Sequence, residues 1–161
     1  MTISSEMQSN LDKIDILFEK GYSVKTKENN FIPVLISPEG EFVNTFFKSE
    51  YGDDSLPGFS WISFFFPFVF AAKIRHWQYF WALGLIVFIL SIIESILNID
   101  TSFAASIGIS MVYGFGYPLQ RWLFVKSNKE EIGTFASLLL GILLSIVALI
   151  PSFIILGIFS P

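Results

Sequence analysis

No cysteine occurs anywhere in the 161 residues. That removes disulfides, thiolate nucleophiles and cysteine-based zinc or iron–sulfur sites. Histidine is nearly as scarce, with His76 alone, so no histidine pair exists to hold a metal or form a dyad. Charge is thin as well. Only 15% of the residues are charged, against about 25% in ordinary soluble domains. There is no basic patch, which disfavours a nucleic-acid partner. No Asn-x-Ser/Thr acceptor occurs, and the opening MTISSEMQSNLDKID has no basic stretch followed by an apolar core, so a cleaved secretory signal is not expected. Phosphate-binding glycine loops and nucleophile–base pairs are missing too, and GFGYP (114–118) is no dinucleotide fingerprint. No catalytic residue, cofactor or metal is expected, and the chain does not read as an enzyme.

What is there is apolar. Hydrophobic residues make up 53%, aromatics 17%, and the mean hydropathy is +0.62. The charges are unevenly spread. Residues 1–58 hold five lysines against ten acids, a balance of −5, while 59–161 hold five basic residues against four acids, a balance of +1. The chain therefore reads as an acidic head over 1–50, a linker at 51–58 (YGDDSLPG) and an apolar body.

In the head, Met7, Leu11, Ile14, Leu17 and Phe18 recur at helical spacing. Ser4 or Ser5 is a suitable cap and Gly21 a natural stop. Tyr22, Val24 and Thr26 alternate like a strand. FIPVLIS, the turn Pro38-Glu39-Gly40 and EFVNTFF read as a β-hairpin. Pro33 favours an edge position. So short a head buries only a marginal core, and it must lean on the body or on a partner.

The body is expected to be a membrane all-α fold. A helix rises about 1.5 Å per residue, and a bilayer core is about 30 Å thick. Three stretches suffice: about 77–97, 102–125 and 132–159. Before them runs GFSWISFFFPFVFAAKIRHW, Gly58–Trp77. Its uncharged part, Phe59–Ala72, reaches only about 21 Å as a helix, and Pro67 interrupts it. Over 59–76 an aromatic interfacial or re-entrant segment is expected rather than a span. Positive charge lies at 73–76 and from Arg121 to Lys129, and none lies at 98–101. The positive-inside tendency then puts the head in the cytoplasm and the C-terminus outside. If Phe59–Ala72 did cross, there would be four spans and the head would lie outside.

Gly58, Phe59, Ser60, Trp61, Phe64, Phe65, Phe66, Ala71, Arg75 and Trp77 match a signature of the form GFSWPAFFFGPLWALWHRLW. This stretch resembles the bacterial membrane proteins grouped as domain of unknown function 2628. Ile62, Ser63, Pro67 and Phe68 depart from it, the proline being moved back by one position. The similarity extends more weakly to MVYGFGYPLQRWLFVKS (111–127) and covers roughly 58–150. It implies a small multi-pass protein of a bacterial inner membrane, without an assigned activity or any catalytic residue.

Glu94 is the only acid inside an expected span, and such residues are functional candidates. It lies within one turn of the outer end, in reach of headgroups. Arg121 belongs near the inner face, so the two are not expected to pair. Lys73, Arg75 and His76 form a cluster suited to anionic headgroups. Two stripes of small residues recur every four positions. They are Ser102, Ser106, Ser110 and Gly114, and Gly133, Ser137, Gly141 and Ser145. Small residues let helices approach in lipid, so these faces are expected to join the second and third spans; a homo-oligomer interface is the rival use. The expected partners are the bilayer and a protein bound at the head. The expected function is a membrane-anchored accessory or scaffold protein, and the alternative is a small oligomeric transporter or channel.

Overall fold

The computed structural model describes residues 4–25, 33–43, 57–97, 99 and 101–159. Among the described residues six helices and three short strands occur in the order α1 (Ser5–Glu19), β1 (Ser23–Lys25), β2 (Val34–Ile36), β3 (Phe42–Val43), α2 (Trp61–Phe65), α3 (Pro67–Lys73), α4 (Gln78–Leu97), α5 (Ser102–Lys126) and α6 (Thr134–Phe159). They divide into two compact units. The first comprises Met1–Phe64 and Val112–Lys129, the second Phe65–Met111 and Glu130–Pro161. One division falls inside α5.

The first unit starts with a well-signalled helix. The Ser4 hydroxyl accepts the Met7 N–H at 3.2 Å, satisfying one of the amides a helix start leaves over. Met7, Leu11, Ile14 and Leu17 form the buried stripe. At the other end Gly21 adopts φ +89°. Its N–H reaches the Phe18 carbonyl at 3.0 Å, and the Tyr22 N–H reaches that of Leu17 at 3.1 Å. This double closure needs a left-handed residue, which glycine supplies without a Cβ clash. The strands then form an antiparallel sheet in the order β1-β2-β3, with Leu35 paired to both Val24 and Val43. Leu35 and Val43 are buried. Gly40, at φ +86°, closes the β2–β3 turn, and the Ser37 and Glu41 backbones are bonded at 2.9 Å. β2 is central rather than at an edge. Pro33 sits one residue ahead of it, so its missing N–H takes no place in the ladder. Thr26, the tail of EFVNTFF (44–47) and linker residues 51–56 lie outside the described residues.

The aromatic stretch breaks where proline predicts. α2 ends at Phe65, Phe66 adopts a non-helical conformation, and Pro67 opens α3, the position where its lack of an N–H costs least. α3 ends in a second double closure. Arg75 takes φ +54°, its N–H reaches Ala72 at 3.1 Å, and the His76 N–H reaches Ala71 at 2.8 Å. An arginine in the position glycine usually fills is held at a cost of about 1 kcal/mol.

In the second unit α6 packs on α3 and α4. The approach is close. A Cβ on Gly141 would lie 2.6 Å from the Phe68 carbonyl oxygen, and one on Gly84 would lie 2.8 Å from that of Ala148. Backbone meets backbone at both points, the close approach that small residues permit between helices. At the start of α6, the Ile132 N–H donates to the Lys73 carbonyl at 3.1 Å, and Lys73 pairs with Glu131 at 3.7 Å. Lys73 thus lies at Ile132 and Gly84 at Ala148, so α4 climbs α6 in the same direction.

Among the described residues two helices, not three, are long and apolar enough to cross a bilayer: Gln78–Leu97 and Thr134–Ile155. The expectation for 102–125 is corrected. Serines, glycines, two tyrosines, Pro118, Gln120 and Arg121 dilute the apolar character of α5. Only 11% of either candidate span is buried within the chain. Trp81, Leu85, Ile96, Phe135, Leu143 and Phe153 are among the large apolar side chains left exposed. Two long apolar helices with so much uncovered apolar surface suggest a membrane location.

Candidate functional site

Two places bring polar side chains together, one in each unit. The first lies where α1, the Gly58–Ser60 segment and the second half of α5 meet. An α-helical carbonyl accepts from the amide four residues on, and proline has none to give. Pro118 therefore leaves the Gly114 carbonyl without its helical donor. The Ser60 N–H fills the place at 2.9 Å. Gly114 is what admits the chain, because a Cβ there would clash with the Phe59 ring. Phe59 then meets Phe115 edge-on, with centroids 4.7 Å apart. From the other side Asn10, buried in α1, accepts the Gly58 N–H at 2.6 Å. GFSW and GFGYP, read separately in the sequence, are two halves of one joint.

Further along α5 a clasp secures the head. Trp122 stacks on Phe18 with centroids 4.3 Å apart, and its indole N–H donates to Asp15 at 2.9 Å. Lys126 reaches the same carboxylate at 2.9 Å and lies 5.3 Å from the Trp122 ring centroid. The Lys126 hydrogen bond, helped by that of Trp122, holds the Asp15 carboxyl below the usual carboxylate range. Arg121 is buried one residue before Trp122. It hydrogen-bonds Tyr117 and lies 6.0 Å from the Phe124 ring centroid. Nothing in a local sequence pattern signals the Asp15–Trp122 contact, which joins residues 107 apart.

The second place is a cavity of about 500 Å³ in the other unit, lined by α3, α4, the first turns of α5 and α6. Its polar side chains are Glu94, Thr101 and five serines, at 91, 106, 110, 145 and 152. The rest of its wall is apolar, with Phe65, Phe68, Tyr79 and Phe153 supplying aromatic rings. Glu94 Oε1 accepts the Thr101 N–H at 2.6 Å and the Thr101 hydroxyl at 2.8 Å. It thereby closes the α4–α5 turn and puts its negative charge at the start of α5, where the helix dipole favours it. The Ser91 hydroxyl donates to the Val87 carbonyl at 2.9 Å.

The small-residue stripes are split between these places. Ser106, Ser110 and Ser145 line the cavity. Gly114 belongs to the joint, and Gly141 is pressed on α3. Ser137 is fully buried, its hydroxyl donating to the Thr134 carbonyl at 2.9 Å. Gly133 has open space beside it, and the Ser102 side chain lies outside the described residues. In the expected headgroup cluster Lys73 is paired with Glu131 and Arg75 is exposed. His76 is buried, and burial pushes its pKa down to about 4. Among the described residues no cluster of His, Asp or Glu has metal-binding geometry. Gly84, Ser91 and Ser152 carry contacts or line the cavity without having been singled out by the sequence, since none falls in a repeating stripe. No protein-family model, curated protein or solved structure matches the chain.

Proposed function

We propose that this is a membrane-anchored accessory protein, which presents its small acidic head to a protein partner at the cytoplasmic face of a bacterial inner membrane. The observation that carries the reading is the clasp. A head fastened through Asp15, Phe18, Trp122 and Lys126 is an integral part of the anchored chain. The sheet supports the same reading. With β2 central, β1 and β3 are the edges of the sheet among the described residues, and Phe42 on β3 is exposed. An edge strand with an exposed aromatic side chain accepts an added strand through main-chain hydrogen bonds.

The exposed side chains of Trp61, Ile62, Phe65 and Phe66 suit the headgroup boundary. Arg75 and Trp77, both exposed, suit it as well. The resemblance of residues 58–77 to the small multi-pass family is consistent with this arrangement.

Affinity purification of the full chain in mild detergent is expected to recover one protein in fixed stoichiometry, and Phe42→Asp is expected to lose it while membrane extraction stays normal. Repeated recovery of the chain alone would count against the reading. Because there is no native cysteine, single cysteines at Ser5, Asp100 and Ser160 report the sidedness of each segment to an impermeant reagent. Labelling at Ser5 from outside intact cells would overturn the cytoplasmic head.

A further inference from the structure

Small side chains leave space where larger ones would interlock, and on the second unit's α5 turns they do so inside an apolar wall. Ala105, Ser106 and Ser110 line the cavity from α5, and Ser145 and Ser152 line it from α6. Its volume of about 500 Å³ falls within the range of small-molecule sites, about 300–1,000 Å³. The character of the lining is specific. One carboxylate faces it, from Glu94, and no Lys, Arg or His side chain does. Four aromatic residues, Phe65, Phe68, Tyr79 and Phe153, also contribute. Aromatic faces carry negative quadrupole charge and attract cations, so these rings and the carboxylate act in the same sense. Ser152 adds an independent observation. It is only 2% exposed, it lines the cavity, and its hydroxyl makes no hydrogen bond among the described residues. A buried hydroxyl without a partner is costly, and a ligand with hydrogen-bond donors would satisfy its oxygen. The Ser145 hydroxyl is in the same position.

We propose that this cavity binds an amphiphile with a protonated amine head and an apolar tail. The head is a cation carrying several N–H donors. It is matched by the Glu94 charge, the aromatic rings and the serine oxygens. The tail is matched by Leu83, Val87, Ile109 and Leu149. An anionic amphiphile would meet the carboxylate with no compensating positive side chain. A neutral one would leave both the charge and the rings unused. Glu94 keeps its turn-closing bonds to Thr101 throughout, so the ligand adds to the structural role of this residue and does not replace it. The site is independent of what the head recruits.

The test uses the full chain in nanodiscs of zwitterionic lipid, with protein-free nanodiscs subtracted. Three probes of equal tail length are titrated by calorimetry: decylamine (protonated at neutral pH), 1-decanol and decanoate. Saturable binding of one decylammonium per chain is expected, about tenfold or more tighter than 1-decanol, the effect of one good ionic or cation–π contact. No saturable binding of decanoate is expected. Glu94→Gln keeps an acceptor for Thr101 and is expected to reduce the preference for decylammonium about tenfold. Ser152→Leu fills the cavity and is expected to abolish saturable binding of all probes. Equal binding of the three probes to the unaltered chain, or only non-saturable partition, would overturn the proposal without recourse to any variant. So would a Glu94→Gln chain that folds and keeps the full preference.

Discussion

The two units are held together by different physics. The first relies on directional polar contacts between distant parts of the chain: Asp15 with Trp122 and Lys126, Asn10 with Gly58, and Ser60 with Gly114. The second relies on backbone proximity, with Gly84 against Ala148 and Gly141 against Phe68. Under the proposed membrane reading the difference follows the surroundings. A head in water gains from burying apolar stripes and must satisfy every amide it covers, whereas helices in lipid gain little from burying leucine against leucine, so contact geometry decides. The same residue type has different work in each unit. Gly21 and Gly40 supply left-handed turns in the first, and Gly84 and Gly141 supply closeness in the second.

The comparison can be broken at its strongest joints. Trp122→Ala removes a buried ring, its stack on Phe18 and the hydrogen bond to Asp15. A loss of about 3–5 kcal/mol is expected, confined to the first unit, and limited proteolysis should cut the head while α4 and α6 stay protected. Gly141→Val forces branched carbon into the Phe68 backbone. About 1–3 kcal/mol should be lost in thermal unfolding in detergent, whereas Gly133→Val, beside open space, should leave the melting temperature nearly unchanged. A similar loss at both glycines would show that closeness is not what holds the second unit.

Acid sharpens the contrast. Burial holds His76 near pKa 4, against 6.5 when exposed. Between those values the unfolded chain takes up a proton that the folded chain refuses. Stability from this residue is therefore complete above pH 6.5 and lost as pH falls towards 4. His76→Gln should flatten the melting temperature over that window. Asp15 has its folded pKa depressed, so its contribution disappears only at still lower pH. Among the variants that remove a contact, the smallest effect is expected from Asp15→Ala. Its pair with Lys126 is about half exposed, and such pairs contribute about 0–1 kcal/mol, less in high salt. A large, salt-independent loss would mean that the indole bond and not the ion pair closes the clasp.

Much of this was legible in the residues, where the signal is local. The α1 stripe with its Ser4 cap and Gly21 stop reads directly, as do the turn at Pro38–Gly40, the break at Pro67 and the two long apolar helices. The third expected span fails for a reason a window average does not separate, since α5 is apolar near its start and built into a different unit after Met111. The joint was visible only as two motifs, because a carbonyl freed by proline does not announce which amide will come to it. The cavity could not be read at all. It depends on which side chains face each other across α4, α5 and α6, and serine spacing alone fits either a seam or a hollow.

The Asp15–Trp122 bond sets an order of events during synthesis. Everything that α1 rests on in the second half of α5 leaves the ribosome more than a hundred residues after Asp15 itself. Until then Asp15 and Phe18 of the N-terminal helix wait without Trp122 and Lys126. A nascent chain halted at Met111 would leave that side of the helix uncovered, and release past Lys126 would close it.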